Sequence, residues 1–311
     1  MTIREMDKSD IDEVLARWNQ VYTWDTREPD QFDRTVFGDP NYEPGGTLVV
    51  CDGDRITGFV SCVYRQGARG RDGKGSEQNM QNAYLKGMLY EDKGAGRELL
   101  DRAESFAREA GKAVIRVVVY GGGAYFFPGI DLRYPKIIAF FGEAGYEQTQ
   151  VARDVGLELD DYIPGGESYQ KARWERLWSE GIEVVQYSPD MLPQMVPFVE
   201  RVELPQWFGE GWEKGWQKPR NTVVAIRGDE ILGFSSYSPA RPPEAIGGFG
   251  SIGTLPSERG KGIGTCMMDV CMARLKDAGT KRTIAKWANT PFYLKSGWTV
   301  TREFAVFEKH V

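Results

Sequence analysis

Arg259-Gly260-Lys261-Gly262-Ile263-Gly264-Thr265 lies between an extended segment, Phe249 to Leu255, and an amphipathic run. In that run Ile263, Cys266, Met267, Val270, Cys271 and Leu275 share one helical face, and Gly279 ends it. Glycines at a strand–helix junction let backbone N–H groups converge, and the helix dipole adds positive potential, so the junction suits a phosphate. Spacing excludes two familiar phosphate loops. G-x-x-x-x-G-K-[ST] fails because Leu255 takes the first glycine position and Gly262 follows the lysine. G-x-G-x-x-G fails because Thr265 or Met267 replaces its last glycine. The plain alternative is a helix start whose glycines only pack.

Working outward, the same plan occurs twice. Thr222–Ile226, a turn at Arg227-Gly228-Asp229-Glu230, and Ile231–Ser235 form a hairpin pattern that leads to the strand before the loop. Thr47–Cys51, the turn Asp52-Gly53-Asp54, and Arg55–Ser61 repeat it, followed by a strand from Asn82 to Leu89. Then Glu91-Asp92-Lys93-Gly94-Ala95-Gly96 opens a helix with Ala95, Leu99, Ala103, Phe106, Ala107 and Ala110 on one face. Both copies continue into a strand (Ala113–Val119; Arg282–Trp287) and a short aromatic helix (Ala139–Tyr146; Pro291–Trp298). Glu91 aligns with Arg259 at an offset of 168 and Phe141 with Tyr293 at 152. The first copy thus carries 16 extra residues between Tyr120 and Pro135, a plain loop or an interface or acceptor element at the end of a strand.

The sequence therefore predicts an α/β chain (α+β by some schemes) of tandem domains, each a mixed, largely antiparallel sheet flanked by helices. The expected division is 1–160, a Trp-bearing linker helix at 161–180, and 181–311. Length agrees, since 311 residues exceed what one core usually supports. Residues 1–160 hold 20 Lys and Arg against 27 Asp and Glu, and residues 161–311 hold 19 against 18. Neither half has the clustered cations of a nucleic-acid surface, and no apolar run is long enough to span a bilayer. Four cysteines without a C-x-x-C pair and a single histidine argue against disulfides and a metal site. With no apolar leader after Met1, a cytoplasmic location is expected.

The second copy resembles the GNAT superfamily of acyl-CoA-dependent N-acetyltransferases, and the whole chain resembles its tandem form. Arg259, Gly262 and Gly264 match that family's loop signature, and Thr254-Leu255-Pro256-Ser257-Glu258 is similar to its lead-in. Asn289-Thr290-Pro291-Phe292-Tyr293-Leu294-Lys295-Ser296-Gly297-Trp298 is similar to its downstream segment. In the first copy Glu91 replaces the basic residue, Met88 stands for Pro256 and Phe141 for Tyr293, so that copy is expected to be structural or regulatory.

The resemblance implies acetyl-CoA as co-substrate and an amine, small or on a peptide or protein, as acceptor in a ternary complex. No metal, nucleic acid or membrane is implied, and the protein would act as a monomer or homodimer. Pantetheine would lie along Ile252, Gly253 and Thr254 by strand addition. Arg259, Gly260, Lys261, Gly262, Ile263, Gly264 and Thr265 would hold the pyrophosphate, and Asn289 would steady the cofactor arm. Tyr293 resembles the general acid that protonates the leaving thiolate. Candidate bases are Glu200, Glu203 and Glu210. Trp207, Trp212 and Glu203 are candidate acceptor contacts, although the Trp207–Trp216 stretch serves equally well as packing between the copies. A non-catalytic acyl-CoA sensor and an interaction protein on the same scaffold are the two rival readings.

Overall fold

The computed structural model describes residues 1–65, 80–118, 126–160, 162, 167–202, 208, 212–241, 243–288 and 290–311. It divides into two compact units, Met1–Ala152 with Glu303–Val311, and Arg153–Arg302. These differ from the division at 160 and 181, because each copy's last strand closes the other unit's sheet.

In the first unit, β1 (Thr2–Glu5), β2 (Thr47–Asp52), β3 (Arg55–Tyr64) and β4 (Asn82–Tyr90) are antiparallel neighbours in that order. Helices α1 (Ile11–Val21) and α2 (Pro29–Val36) connect β1 to β2, and α3 (Lys93–Glu109) crosses from β4 to the parallel β5 (Val114–Val117). Beyond β5 come β6 (Ile130–Asp131), α4 (Pro135–Glu143) and the start of β7 (Glu147–Glu158). The sheet is closed by the chain's last residues, Phe307 pairing with Val117 and His310 with Val114.

The second unit begins with the rest of β7 and α5 (Glu167–Ser179). Its strands β8 (Ile182–Gln186), β9 (Thr222–Arg227), β10 (Glu230–Ser238) and β11 (Ile246–Thr254) are again antiparallel neighbours. Helices α6 (Leu192–Arg201) and α7 (Glu213–Trp216) precede β9, and α8 (Ile263–Asp277) crosses to the parallel β12 (Arg282–Ala285). Then follow α9 (Thr290–Leu294) and the start of β13 (Thr299–His310). Here β7 closes the sheet, Val155 pairing with Ala285 and Glu158 with Arg282.

Both hairpin turns place glycine where φ must be positive, Gly53 at 61° and Gly228 at 56°. The anticipated helix faces are the buried ones, with Ala95, Leu99, Ala103 and Ala107 inside in α3 and Ile263, Cys266, Met267, Cys271 and Leu275 inside in α8. In α8, Met268, Asp269 and Met272 are buried as well, because α5 packs on its second side. Leu177 of α5 is fully buried in the second core, so the linker helix is part of that domain. Among the described residues no helix is long and apolar enough to cross a membrane, and no group of His, Cys, Asp or Glu is placed to hold a metal ion.

Candidate functional site

The second unit's site starts from a sheet that opens. Strand β11 pairs with β12 only from Ile246 opposite Arg282 to Gly248 opposite Ile284. On its other side β11 stays paired with β10 up to Thr254, through a bulge between Ile252 and Phe249. The C-terminal part of β11 is thus a strand edge at the end of a parallel pair, the usual position of a ligand site in α/β sheets. It is accessible: Gly250 is exposed, and Ser251, Ile252 and Thr254 are partly exposed. Gly253 is buried, and its carbonyl oxygen lies 2.9 Å from where a β-carbon on Gly233 would sit. An edge of this kind offers N–H and C=O groups to an extended ligand.

After β11 a single 3-10 turn, Pro256–Glu258, carries the chain into the glycine loop. Glu258 is buried beneath the loop. Burial opposes its ionisation, but hydrogen bonds from Lys261 (2.9 Å) and Arg227 (3.2 Å) win and hold its carboxyl below the ordinary range. Lys261 is therefore committed to the loop's own geometry. The Arg259 Nε donates to the Thr254 carbonyl at 3.3 Å. Gly260 and Gly262 have φ of 80° and 88°, conformations that side chains resist. Gly262 is the N-cap of α8 and provides no side-chain cap, so the amides of the first turn have no internal acceptor from the cap residue.

A cavity of about 520 Å³ lies over these amides. Its lining includes Thr254, Arg259, Gly260, Gly262, Ile263, Gly264 and Thr265, all anticipated from the sequence. It also includes residues the sequence did not single out, namely Phe292 and, from α5, Arg173 and Arg176. Arg176 donates to the Lys261 carbonyl. A β-carbon on Gly262 would lie 3.1 Å from both Arg173 Cδ and Arg176 Nη2. Arg173 is buried and paired with buried Asp269 at 3.7 Å. Asp269 also accepts from Tyr162 at 3.3 Å, next to a smaller cavity of about 170 Å³. Burial pushes the Asp269 carboxyl up to about 6 against the lowering by Arg173, Gln170 and Tyr162. The only signal for these arginines was their three-residue spacing, one helical face, in a segment that read as a connector.

Tyr293 lies inside an aromatic cluster, its ring 5.1 Å from Trp298, 5.2 Å from Phe292 and 6.0 Å from Phe249 of β11. Burial pushes its phenol well above the ordinary tyrosine range, so it is protonated at neutral pH. Trp212 is partly buried against Phe208 (5.3 Å) and Trp216 (6.1 Å), and Trp216 packs on Phe234. In the described part of this segment the tryptophans pack within the second unit's own core. Glu200 is exposed at the end of α6. Glu203, Trp207, Glu210 and Asn289 lie outside the described residues.

The first unit has the same scaffold with the slot closed. β4 again pairs with its parallel neighbour over three residues only, Asn82 to Tyr84. Tyr90 faces Gly58 as Thr254 faces Gly233, so strand register makes Met88 the counterpart of Ile252, not of Pro256. The Tyr22 hydroxyl donates to the Met88 carbonyl at 2.5 Å. Phe126 and Phe127, in the described part of the insertion, are buried against Trp18, and Phe126 lies over Gly87. Phe126, Phe127, Ile130 and Tyr134 of the insertion are therefore core, while Leu132, Arg133 and Pro135 are exposed. Every residue of β4 except Tyr90 is buried.

The loop differs too. Three residues separate Tyr90 from Gly94, against seven between Thr254 and Gly262, and Leu255–Glu258 have no counterpart. Asp92 caps α3, accepting from Gly94 at 2.8 Å and Ala95 at 3.0 Å, which consumes the amides that Gly262 leaves open. Glu91, which replaces the basic residue, has its charge largely balanced, since its carboxylate is paired with Arg17 and, at 2.8 Å, with Arg55. What closes the first site is the short capped loop and the aromatic filling.

A bulged α/β sheet whose parallel pair splays beside a glycine-led helix is an acetyltransferase-type fold, present here twice but with the loop uncapped in the second unit alone. Residues 191–298 match the model of the acetyltransferase (GNAT) family, so the second copy is a GNAT domain. No curated protein matches the chain. Among solved structures, a glucosamine N-acetyltransferase region within a fungal multi-domain GH3 β-N-acetylglucosaminidase superposes with a TM-score of 0.77 at 20% identity. That comparison covers 99% of this chain but 38% of the fungal one. A GCN5-related N-acetyltransferase from Sphaerobacter thermophilus gives 0.67 at 14% identity, covering 99% and 95% of the two chains. A tandem GNAT protein from the clavulanic acid biosynthesis pathway gives 0.61 at 14%, covering 99% and 98%. The chain is a tandem of two GNAT folds.

Proposed function

We propose that the second unit is an acetyl-CoA-dependent N-acetyltransferase acting on a primary amine in a ternary complex. The observation that carries this reading is the open β11 edge running into an uncapped glycine loop under a 520 Å³ cavity. The fit to the co-substrate is chemical: an edge for an amide-bearing arm, then convergent N–H groups and Arg259 for a diphosphate. Acetyl-CoA, when bound, supplies an activated acetyl group. Ile252, Gly253 and Thr254 would align its arm, and a backbone N–H of that stretch would stabilise charge on the thioester oxygen. The loop from Arg259 to Thr265 would hold the diphosphate. Tyr293, kept protonated by burial, would donate its proton to the departing thiolate.

The test is thiol release from acetyl-CoA with a panel of amines. Glucosamine heads it because the fungal region is described as a glucosamine N-acetyltransferase. Small aliphatic amines and peptides follow. Amine-dependent release is the expected outcome. Cofactor binding without release for any amine would favour the sensor reading, and no binding at all would favour the interaction protein.

A further inference from the structure

The cations around the α8 N-terminus exceed what the loop needs. Arg173, Arg176, Arg259 and Lys261 gather there, with Arg227 close behind, against the carboxylates of Glu258 and Asp269. Helix N-termini favour anions and disfavour cations, so the Arg176 guanidinium, beside Gly262 with the methylene stem of Arg173, brings like charge to a positive dipole end. Sequence economy does not explain them. Arg176 is an exposed residue of a helix that lies outside the repeated copies, yet it reaches the loop and donates to the Lys261 carbonyl. Arg173 is buried and held by Asp269. A buried guanidinium beside an exposed one can grip a phosphate by charge-assisted hydrogen bonds.

Resting on the acetyl-CoA reading, we propose that Arg173 and Arg176 of α5 form a second phosphate subsite, for the ribose phosphomonoester of the cofactor. The loop amides and Arg259 already suit a diphosphate, and the cavity extends past them to the α5 wall. A phosphomonoester is the remaining charged group on a CoA-type ligand, and its near-dianionic charge suits two guanidiniums. Asp269 is the positioning residue that keeps Arg173 in place. The helix joining the two copies thereby sets which form of the cofactor the second unit accepts.

Calorimetric titration of the full chain with CoA and with dephospho-CoA, which lacks only that phosphate, tests the assignment. The parent should bind CoA at least about tenfold more tightly. Arg176→Gln should lower CoA affinity toward that of dephospho-CoA and leave dephospho-CoA affinity unchanged, and Arg176→Lys should restore part of the loss. Arg176 is on the surface, so the variant is expected to keep the parent's circular dichroism and melting temperature. Equal affinities in the parent overturn the subsite while leaving the cofactor reading intact. Equal weakening of both ligands in a folded Arg176→Gln reassigns the arginines to the diphosphate and likewise overturns it. A parent that binds neither ligand removes the cofactor reading, and the subsite with it.

Discussion

The two glycine loops share a helix, a glycine pair and a parallel crossover, yet one is sealed and the other open. In the first unit Asp92 occupies the helix cap, Tyr22 takes a carbonyl of β4, and phenylalanines cover the strand. In the second, Gly262 caps without a side chain and β11, written Ile246-Gly247-Gly248-Phe249-Gly250-Ser251-Ile252-Gly253-Thr254, leaves its edge accessible. The same difference appears about two turns into the helices. Asp101 and Asp269 occupy equivalent positions, seven residues after the first glycine of each pair, but Asp101 is exposed and Asp269 is buried under α5. A repeated scaffold therefore does not repeat a site; the site depends on what the surroundings place on the shared frame.

The sharpest way to break the contrast is to write the first unit's cap into the second. Gly262→Asp puts a carboxylate at the α8 N-cap, at a residue with φ of 88° and close against Arg173 and Arg176. CoA affinity should fall by about 100-fold or more through charge repulsion and loss of the open amides, while circular dichroism stays unchanged. Retained affinity in a folded variant would show that the loop holds no phosphate.

Turnover separates the copies next, since Phe141 stands where the second has Tyr293. Tyr293→Phe should keep CoA affinity and lower kcat by about 10²-fold, the usual scale of lost general-acid catalysis. Unchanged kcat would make Tyr293 a packing residue like Phe141.

Titration sharpens the helix comparison. In the folded protein Asp269 holds its proton up to about pH 6, against an ordinary value of 3.8. The folded state thus binds the proton more tightly than the unfolded one. The associated stability is full below about pH 4 and is lost as pH rises through 6, on the order of 3 kcal/mol in all. Urea melts of the parent and Asp269→Asn at pH 4, 5, 6 and 7 should show the parent losing ground across that window. Asp101→Asn, at the exposed equivalent, should stay within about 0.5 kcal/mol of the parent. A flat difference for Asp269→Asn would show that the α5 contact does not bury the acid in solution.

The smallest effect concerns the sealed cap. Asp92→Ala should cost about 1 kcal/mol of stability. It should leave the stoichiometry at one CoA per chain, because the shortened loop and the filled slot remain. A second equivalent in the titration would mean that Asp92 alone excluded the cofactor.

Local periodicity made much of this legible. Alternating strands, glycine turns and helical stripes each depend on a few consecutive residues, so the tandem plan and the loop from Arg259 to Thr265 could be read directly. Tertiary structure decided the rest. Which sheet a final strand completes depends on edge pairing between residues more than a hundred positions apart, and the patterns of β7 and β13 are equally good for either. Counting back from the glycines matched Glu91 to Arg259, and only strand register exposed the four missing residues. Its two arginine partners were likewise distant in sequence. The aromatic filling of the first slot, the burial of Asp269 and the approach of Arg173 and Arg176 to the glycine loop all come from contacts between separate elements. Such contacts leave no repeating signature in the chain, because packing is decided by neighbours in space.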